Sequence, residues 1–141
     1  MKYILWFAAA TIIALGSATD AEAQVAVIAN PSVTESSLDA NTLLSIYMLN
    51  KRSWNDGSRI VVFDLKDDLP SKSKFYGYLG KSPKAMKQTW LRLKLTGEAQ
   101  PPRTAGTEES MAAMVASTPG AIGYCDASKA GGNVKVLIKL N

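Results

Sequence analysis

Histidine is absent from this 141-residue sequence, and cysteine occurs once, at position 125. Without histidine the chain cannot form a histidine-ligated zinc site, a Ser-His triad or a Cys-His pair. A single cysteine excludes a disulfide within the chain. Cys125 therefore either pairs with a second chain or is a small buried hydrophobic residue, and free cysteines are commonly buried.

Catalysis is not expected either, because no activated nucleophile is visible. The paired carboxylates Asp67-Asp68 and Glu108-Glu109 are adjacent in sequence, whereas glycosidase chemistry needs two carboxyls on opposite sides of a bond. A charged helix start explains Glu108-Glu109 without catalysis. We predict that the protein is not an enzyme and that it uses neither a cofactor nor a metal.

Charge of one sign is not concentrated anywhere in the chain. Lysine and arginine total 16 against 12 acidic residues, a formal net charge of +4, and the lysines are spread along the sequence. A mildly basic surface favours anions in general. It lacks the dense basic stripe with interleaved aromatic residues that predicts nucleic-acid binding, so no nucleic-acid partner is expected.

The N-terminus carries the one long apolar run. Lys2 precedes the apolar stretch 3–18, and Ala21-Glu22-Ala23 forms a small-residue cleavage signal. These three parts predict a secretory signal peptide over residues 1–23, removed before Gln24, and a periplasmic location. A membrane anchor is the alternative, but the run is shorter than the roughly 20 residues that span a bilayer. The mature chain, residues 24–141, is predicted to be one domain.

Hydrophobic patterning along the mature chain predicts alternating strands and helices. The last strand alternates, which places Val134, Val136, Ile138 and Leu140 on its buried face. The element order β-α-β-α-α-α-β-β predicts an α/β fold with a small, mostly parallel sheet flanked by helices. Strands are expected at 25–29, 60–63, 121–123 and 134–140, helices after the caps Asp39, Ser82 and Thr107 and from Pro70 to Gly80, and a loop at 98–105.

Three segments resemble the substrate-binding proteins of phosphate ABC importers. They are Thr118–Tyr124 ("TPGAIGY"), the run from Leu38 to Trp54 with the turn after it, and Tyr78–Pro83 ("YLGKSP"). Their order and spacing are compatible with that family over roughly residues 25–127. The resemblance implies a type 2 periplasmic-binding-protein-like fold, and the chain length implies one lobe of it.

The resemblance also implies an anion site at a helix start, where free N–H groups and hydroxyls suit a phosphate. On this sequence the candidate ligands are Ser71, Lys72, Ser73 and Thr107. Ser71 and Thr107 are alternatively ordinary helix caps. The matching stretch "DLKDDLPSKSKF" departs from the family pattern, because it has Asp67 and Asp68 where the family has small polar residues and glycine, and it contains no arginine.

The implied function is an exported solute-binding module that holds phosphate or another oxyanion weakly for an ABC uptake or sensing system. A membrane transporter or sensor is the implied partner, and a second copy of the chain, in a homodimer, could supply an opposite wall for the ligand. The alternative is a periplasmic protein-interaction module that has lost anion binding.

Overall fold

The computed structural model describes residues 24–141. The predicted signal peptide, residues 1–23, lies outside the described residues, so its cleavage stays a prediction. The described part contains five strands and four α-helices, with a short 3-10 helix before the last strand. In chain order they are β1 Val25–Ala29, α1 Ala40–Tyr47, β2 Val61–Leu65, α2 Pro70–Leu79, α3 Pro83–Leu95, β3 Arg103–Ala105, α4 Glu108–Ser117, β4 Ala121–Asp126 and β5 Lys135–Leu140.

The five strands form a single sheet in the order β3-β2-β4-β1-β5. β2 pairs in parallel with both β3 and β4, while β1 pairs antiparallel with β4 and β5. Four of the five strands therefore run in the same direction, and β1 alone opposes them. This arrangement confirms the predicted α/β class with a mostly parallel sheet.

Helices cover both faces of the sheet, as the side chains of β4 show. Successive residues of a strand point to opposite faces. Gly123 faces α4, where a Cβ atom would collide with the side chain of Met111. Its neighbour Tyr124 faces α2 and stacks on Phe75, with 3.7 Å between the ring centroids. The glycine thus allows α4 to approach the sheet closely.

Gly120 shapes the turn that leads into β4. Its φ of +75° is in the left-handed region, and a Cβ there would collide with the main-chain oxygen of Arg59. Its carbonyl accepts a hydrogen bond of 2.9 Å from the indole nitrogen of Trp54. Both the backbone angle and the close approach therefore require glycine at this position.

The predicted helix ends agree closely with the structure. Asp39, Ser82 and Thr107 each accept a hydrogen bond from a backbone N–H in the first turn of their helix. Gly80, with a φ of +71°, ends α2 in the left-handed conformation that glycine favours.

Two predictions about the strands are wrong. Residues 98–105 are not all loop, because Arg103–Ala105 forms a strand that pairs with β2. Two of these three residues are exposed, so their hydrophobic pattern does not predict a strand. In β5, Leu137 and Leu140 are buried while Val136 is 39% exposed. The register between β1 and β5 shifts at Val27/Ile28, which interrupts the expected alternation.

Candidate functional site

The carboxyl ends of β2 and β3 meet at one edge of the sheet. Leu65 is paired with Ala105 at the end of the parallel ladder, and the amide of Lys66 donates to the carbonyl of Ala105 over 3.0 Å. The chain continues from these ends into the starts of α2 and α4. In open α/β sheets, ligands bind in the crevice outside the carboxyl ends of the strands. All four predicted ligand residues therefore lie at the edge of the sheet where a ligand is expected.

The start of α2 carries three of the predicted ligands. Its N-cap residue, Leu69, makes no side-chain capping hydrogen bond, and Pro70 occupies the first turn. Ser71 lies inside α2, two residues after the N-cap Leu69, so it is not the helix cap that the alternative interpretation assigned, and its side chain is buried. Ser73 is exposed. Pro70 has no N–H and the amide of Lys72 donates to the carbonyl of Leu69 at 3.1 Å, so within residues 24–141 the amide of Ser71 is the first-turn donor left for an anion.

Lys72 is buried and already bound within the protein. Its ammonium donates to Oδ2 of Asp64 at 3.0 Å, to the carbonyl of Leu65 at 2.8 Å and to Oδ1 of Asp67 at 2.8 Å. These three acceptors match the three N–H donors of an ammonium group. Lys72 can therefore contact a ligand only by giving up one of these partners.

Asp67 lies at the surface of this cluster, with 65% of its side chain exposed. One carboxylate oxygen accepts from Lys72, and the other accepts from Lys87 of α3 at 2.6 Å. Hydrogen bonds from Lys72 and then Lys87 lower the pKa of Asp67 to about 2. The carboxylate thus joins a buried ammonium to an exposed one.

Asp64 is the buried counter-charge of the cluster. In addition to Lys72, its carboxylate accepts from the hydroxyl of Tyr124 at 2.6 Å and from the hydroxyl of Tyr76 at 3.1 Å. Burial, followed by the charge of Asp64, raises the pKa of both tyrosines well above the ordinary value. None of the sequence patterns above predicts this network, although the spacing of Lys72 and Tyr76, four residues apart on a helix, indicates that they share a face.

Thr107 caps α4 at the neighbouring helix start. Its hydroxyl accepts from the amide of Ser110, and its own amide donates to the hydroxyl of Ser110, each over 3.0 Å. This capping box agrees with the alternative interpretation of Thr107 as an ordinary cap. Glu108 also faces the protein, since its carboxylate accepts from the amide of Asp126 at 2.8 Å.

An open cleft of about 360 Å³ lies beside the cluster, between the end of β2, α3 and the residues that precede β3. Within the described residues, its lysines 66 and 94 form no ion pair. Four lysines line the cleft against two carboxylates, Asp64 and Asp67, so its net charge is positive, and it opens directly onto the Asp67 carboxylate. Its lining includes Lys66, Asp67, Lys72, Lys87, Trp90 and Lys94.

Neither a candidate metal site nor a membrane-spanning helix is found among residues 24–141. No group of three or more potential metal-ligating side chains is brought together there. No helix in this part of the chain has the length and apolar character needed to cross a membrane.

Solved structures of phosphate-binding transport proteins share this fold. A protein from Clostridium perfringens, assigned to the substrate-binding proteins of phosphate ABC transporters and solved with bound phosphate, matches 82% of this chain with a TM-score of 0.67 and 16% identity. An ABC-type phosphate transport receptor from Vibrio cholerae matches the same share with a TM-score of 0.64 and 16% identity. PstS from Borrelia burgdorferi gives a TM-score of 0.59 at 15% identity, also over 82% of the chain.

The matches cover 45%, 46% and 47% of those three chains, so this chain spans less than half their length. The resemblance predicted from the sequence is thereby confirmed at the level of the fold, which this chain shares with part of each of these proteins. A scan against protein-family models finds no match. A search of curated proteins finds none either.

Proposed function

We propose that the protein is an exported solute-binding module that binds phosphate or a similar oxyanion for an ABC uptake or sensing system. The observation that carries this proposal is that α2 and α4 both start just after the carboxyl ends of the paired parallel strands β2 and β3, beside a cleft lined by four lysines. This edge belongs to a fold shared with a protein solved with bound phosphate. Helix starts and a cationic cleft both favour an anion.

The groups proposed to contact the anion are those at the start of α2 together with Thr107 at the start of α4. Ser73 is exposed and Ser71 is buried beside the uncapped turn. Lys72 contacts the anion only if one of its present partners, Asp64, Asp67 or the carbonyl of Leu65, releases it. The site residues named from the sequence remain the proposed ones, with the amide of Ser71 in the first turn of α2 as the proposed main-chain donor.

Binding by residues 24–141 alone is expected to be weak. They correspond to less than half of each matched phosphate-binding chain. A charge-assisted hydrogen bond contributes roughly 1.5–3 kcal/mol, so three such bonds that these residues do not supply lower the affinity by about a thousandfold or more. A second copy of the chain or a transporter or sensor subunit is the proposed source of an opposite wall.

Calorimetry and thermal unfolding of the purified protein with phosphate, sulfate and chloride test this proposal. We expect phosphate or sulfate to raise the unfolding temperature in a concentration-dependent manner, as mass action requires, with a dissociation constant no tighter than high micromolar. Chloride at matched ionic strength is the control for general screening. The absence of any shift specific to an oxyanion contradicts the proposal, and nanomolar binding to a monomer contradicts its weak-binding part.

Export is tested separately. Expression of the full chain in a Gram-negative host, followed by intact-mass measurement of the periplasmic fraction, should find a polypeptide that begins at Gln24. A protein that retains residues 1–23 and stays with the membrane supports the anchor instead.

A further inference from the structure

We propose that the carboxylate of Asp67 is an intrachain stand-in for the ligand. It occupies an oxyanion site between Lys72 and Lys87, which phosphate or sulfate enters by displacing it. This inference rests on the proposed function, and it adds Lys87 as a ligand residue and Asp67 as the group that limits the affinity.

The contacts of Asp67 are those that an oxyanion would make. Its two oxygens lie 2.8 Å from the ammonium of Lys72 and 2.6 Å from the ammonium of Lys87. A phosphate or sulfate ion also offers two oxygens to two separate cations, and hydrogen bonds between ionised groups are the strong ones. The ammonium groups are contributed by different helices, α2 and α3, so they define a site between two elements of the fold.

Asp67 is well placed to leave, whereas Asp64 is not. Asp67 is 65% exposed and lies in the loop between β2 and α2, and within residues 24–141 its carboxylate accepts from the two lysines alone. Asp64 is buried and is also held by two tyrosine hydroxyls. When Asp67 leaves, Lys72 keeps Asp64 and the carbonyl of Leu65 as partners, so the fold retains its buried ion pair.

The surroundings of the vacated position favour an anion. The cleft into which Asp67 projects is lined by four lysines, and the other carboxylate in its lining is Asp64, which is paired with Lys72; the four are Lys72, Lys87, Lys66 and Lys94. Within the described part of the chain, the last two have no carboxylate partner. When Asp67 leaves, the ammonium groups of these lysines face a solvent-filled cleft with one carboxylate fewer, and this favours the entry of an anion.

The test is calorimetric titration of phosphate and of sulfate into the wild-type protein and two variants, Asp67→Asn and Asp68→Asn. Both variants lose one negative charge, but Asp68 is exposed and makes no ion pair or hydrogen bond within residues 24–141. If Asp67 competes with the ligand, Asp67→Asn should bind both anions at least about tenfold more tightly than wild type. Asp68→Asn should change the affinity by less than about threefold.

A second pair of variants locates the ligand. In the Asp67→Asn background, Lys87→Gln should abolish the gain, because it removes one wall of the site. Lys81→Gln is the control, since Lys81 precedes α3, is exposed, is not among the residues that line the clefts beside Asp67, and makes no ion pair within the described residues. It should leave the gain intact, and an equal loss in both lysine variants overturns the proposed site.

The remaining outcomes separate failure of this inference from failure of the proposed function. If wild type binds an oxyanion and Asp67→Asn binds it no more tightly, the stand-in is wrong and the proposed function stands. If Asp67→Asn weakens phosphate but not sulfate, Asp67 accepts the proton of a bound phosphate, and displacement is again wrong. If neither the wild type nor any variant binds either anion, the proposed function fails together with this inference.

Discussion

The ammonium nitrogen of Lys72 lies 3.0 Å from a carboxylate oxygen of Asp64, and both side chains are only 3% exposed. The pair connects the start of α2 to the end of β2, directly beneath the proposed site. An isolated charge is costly to bury, so each partner makes the burial of the other tolerable.

Lys72→Met should therefore destabilise the protein by about 3–5 kcal/mol, because it leaves the Asp64 carboxylate buried without a cation. Urea unfolding followed by circular dichroism measures the free energy of unfolding. Lys84→Met, at an exposed position on α3, is the control and should change stability by less than about 0.5 kcal/mol. A cost below about 1 kcal/mol for Lys72→Met would show that the pair is far better solvated than its burial indicates.

Gly120→Ala should destabilise the fold more than Gly123→Ala. At position 120 the added Cβ meets both a positive φ and a main-chain oxygen, which cannot move away cheaply. At position 123 it meets the flexible end of Met111 and a methyl group of Val115, so we expect a cost typical of overpacking, about 1–3 kcal/mol.

Gly132→Ala is the matched control for these two variants, because a Cβ there meets no atom within 4 Å. Thermal unfolding of the three variants should give the order of stability Gly132→Ala, then Gly123→Ala, then Gly120→Ala. If Gly123→Ala is less stable than Gly120→Ala, the close approach of Gly120 to the main-chain oxygen of Arg59 is contradicted.

Stability should fall in acid partly through Asp67. The two lysines hold its pKa at about 2, below the ordinary value of 3.8. A carboxyl with a lowered pKa in the folded state contributes stability above the unfolded pKa, and this contribution is lost as the pH falls from about 4 to about 2.

Asp67→Asn should accordingly be less stable than wild type at neutral pH and should converge with it near pH 2. Urea unfolding at a series of pH values measures the difference, and Asp68→Asn should run parallel to wild type. If the free energies of unfolding of wild type and Asp67→Asn differ by the same amount at every pH in this range, the ion pairs of Asp67 do not make stability depend on pH.

Cys125 should be unreactive in the folded protein. It is fully buried, and burial, then the charge of Glu108, raises the pKa of its thiol to about 12. Because the thiolate is the reactive form, iodoacetamide at pH 8 should label Cys125 only in denaturant, as measured by intact mass. Rapid labelling of the native protein, or a disulfide-linked dimer on a non-reducing gel, would contradict this burial.

The sequence by itself determined the local structure. Hydrophobic runs, the caps Asp39, Ser82 and Thr107, and the stop at Gly80 depend on neighbouring residues, so the order and approximate ends of most elements were predictable. The three short segments that resemble phosphate-binding proteins also led to the correct fold.

Only the tertiary structure decided which residues meet. The three residues of β3 form a strand because β2 offers an open edge, and the buried side of β5 depends on a register shift against β1. The site changed most: Lys72, predicted to be free for an anion, is bound by Asp64 and Asp67, and Lys87 joins the cluster from α3. These contacts form because tertiary packing brings the residues together. The local sequence around a lysine therefore does not predict which carboxylate it will pair with.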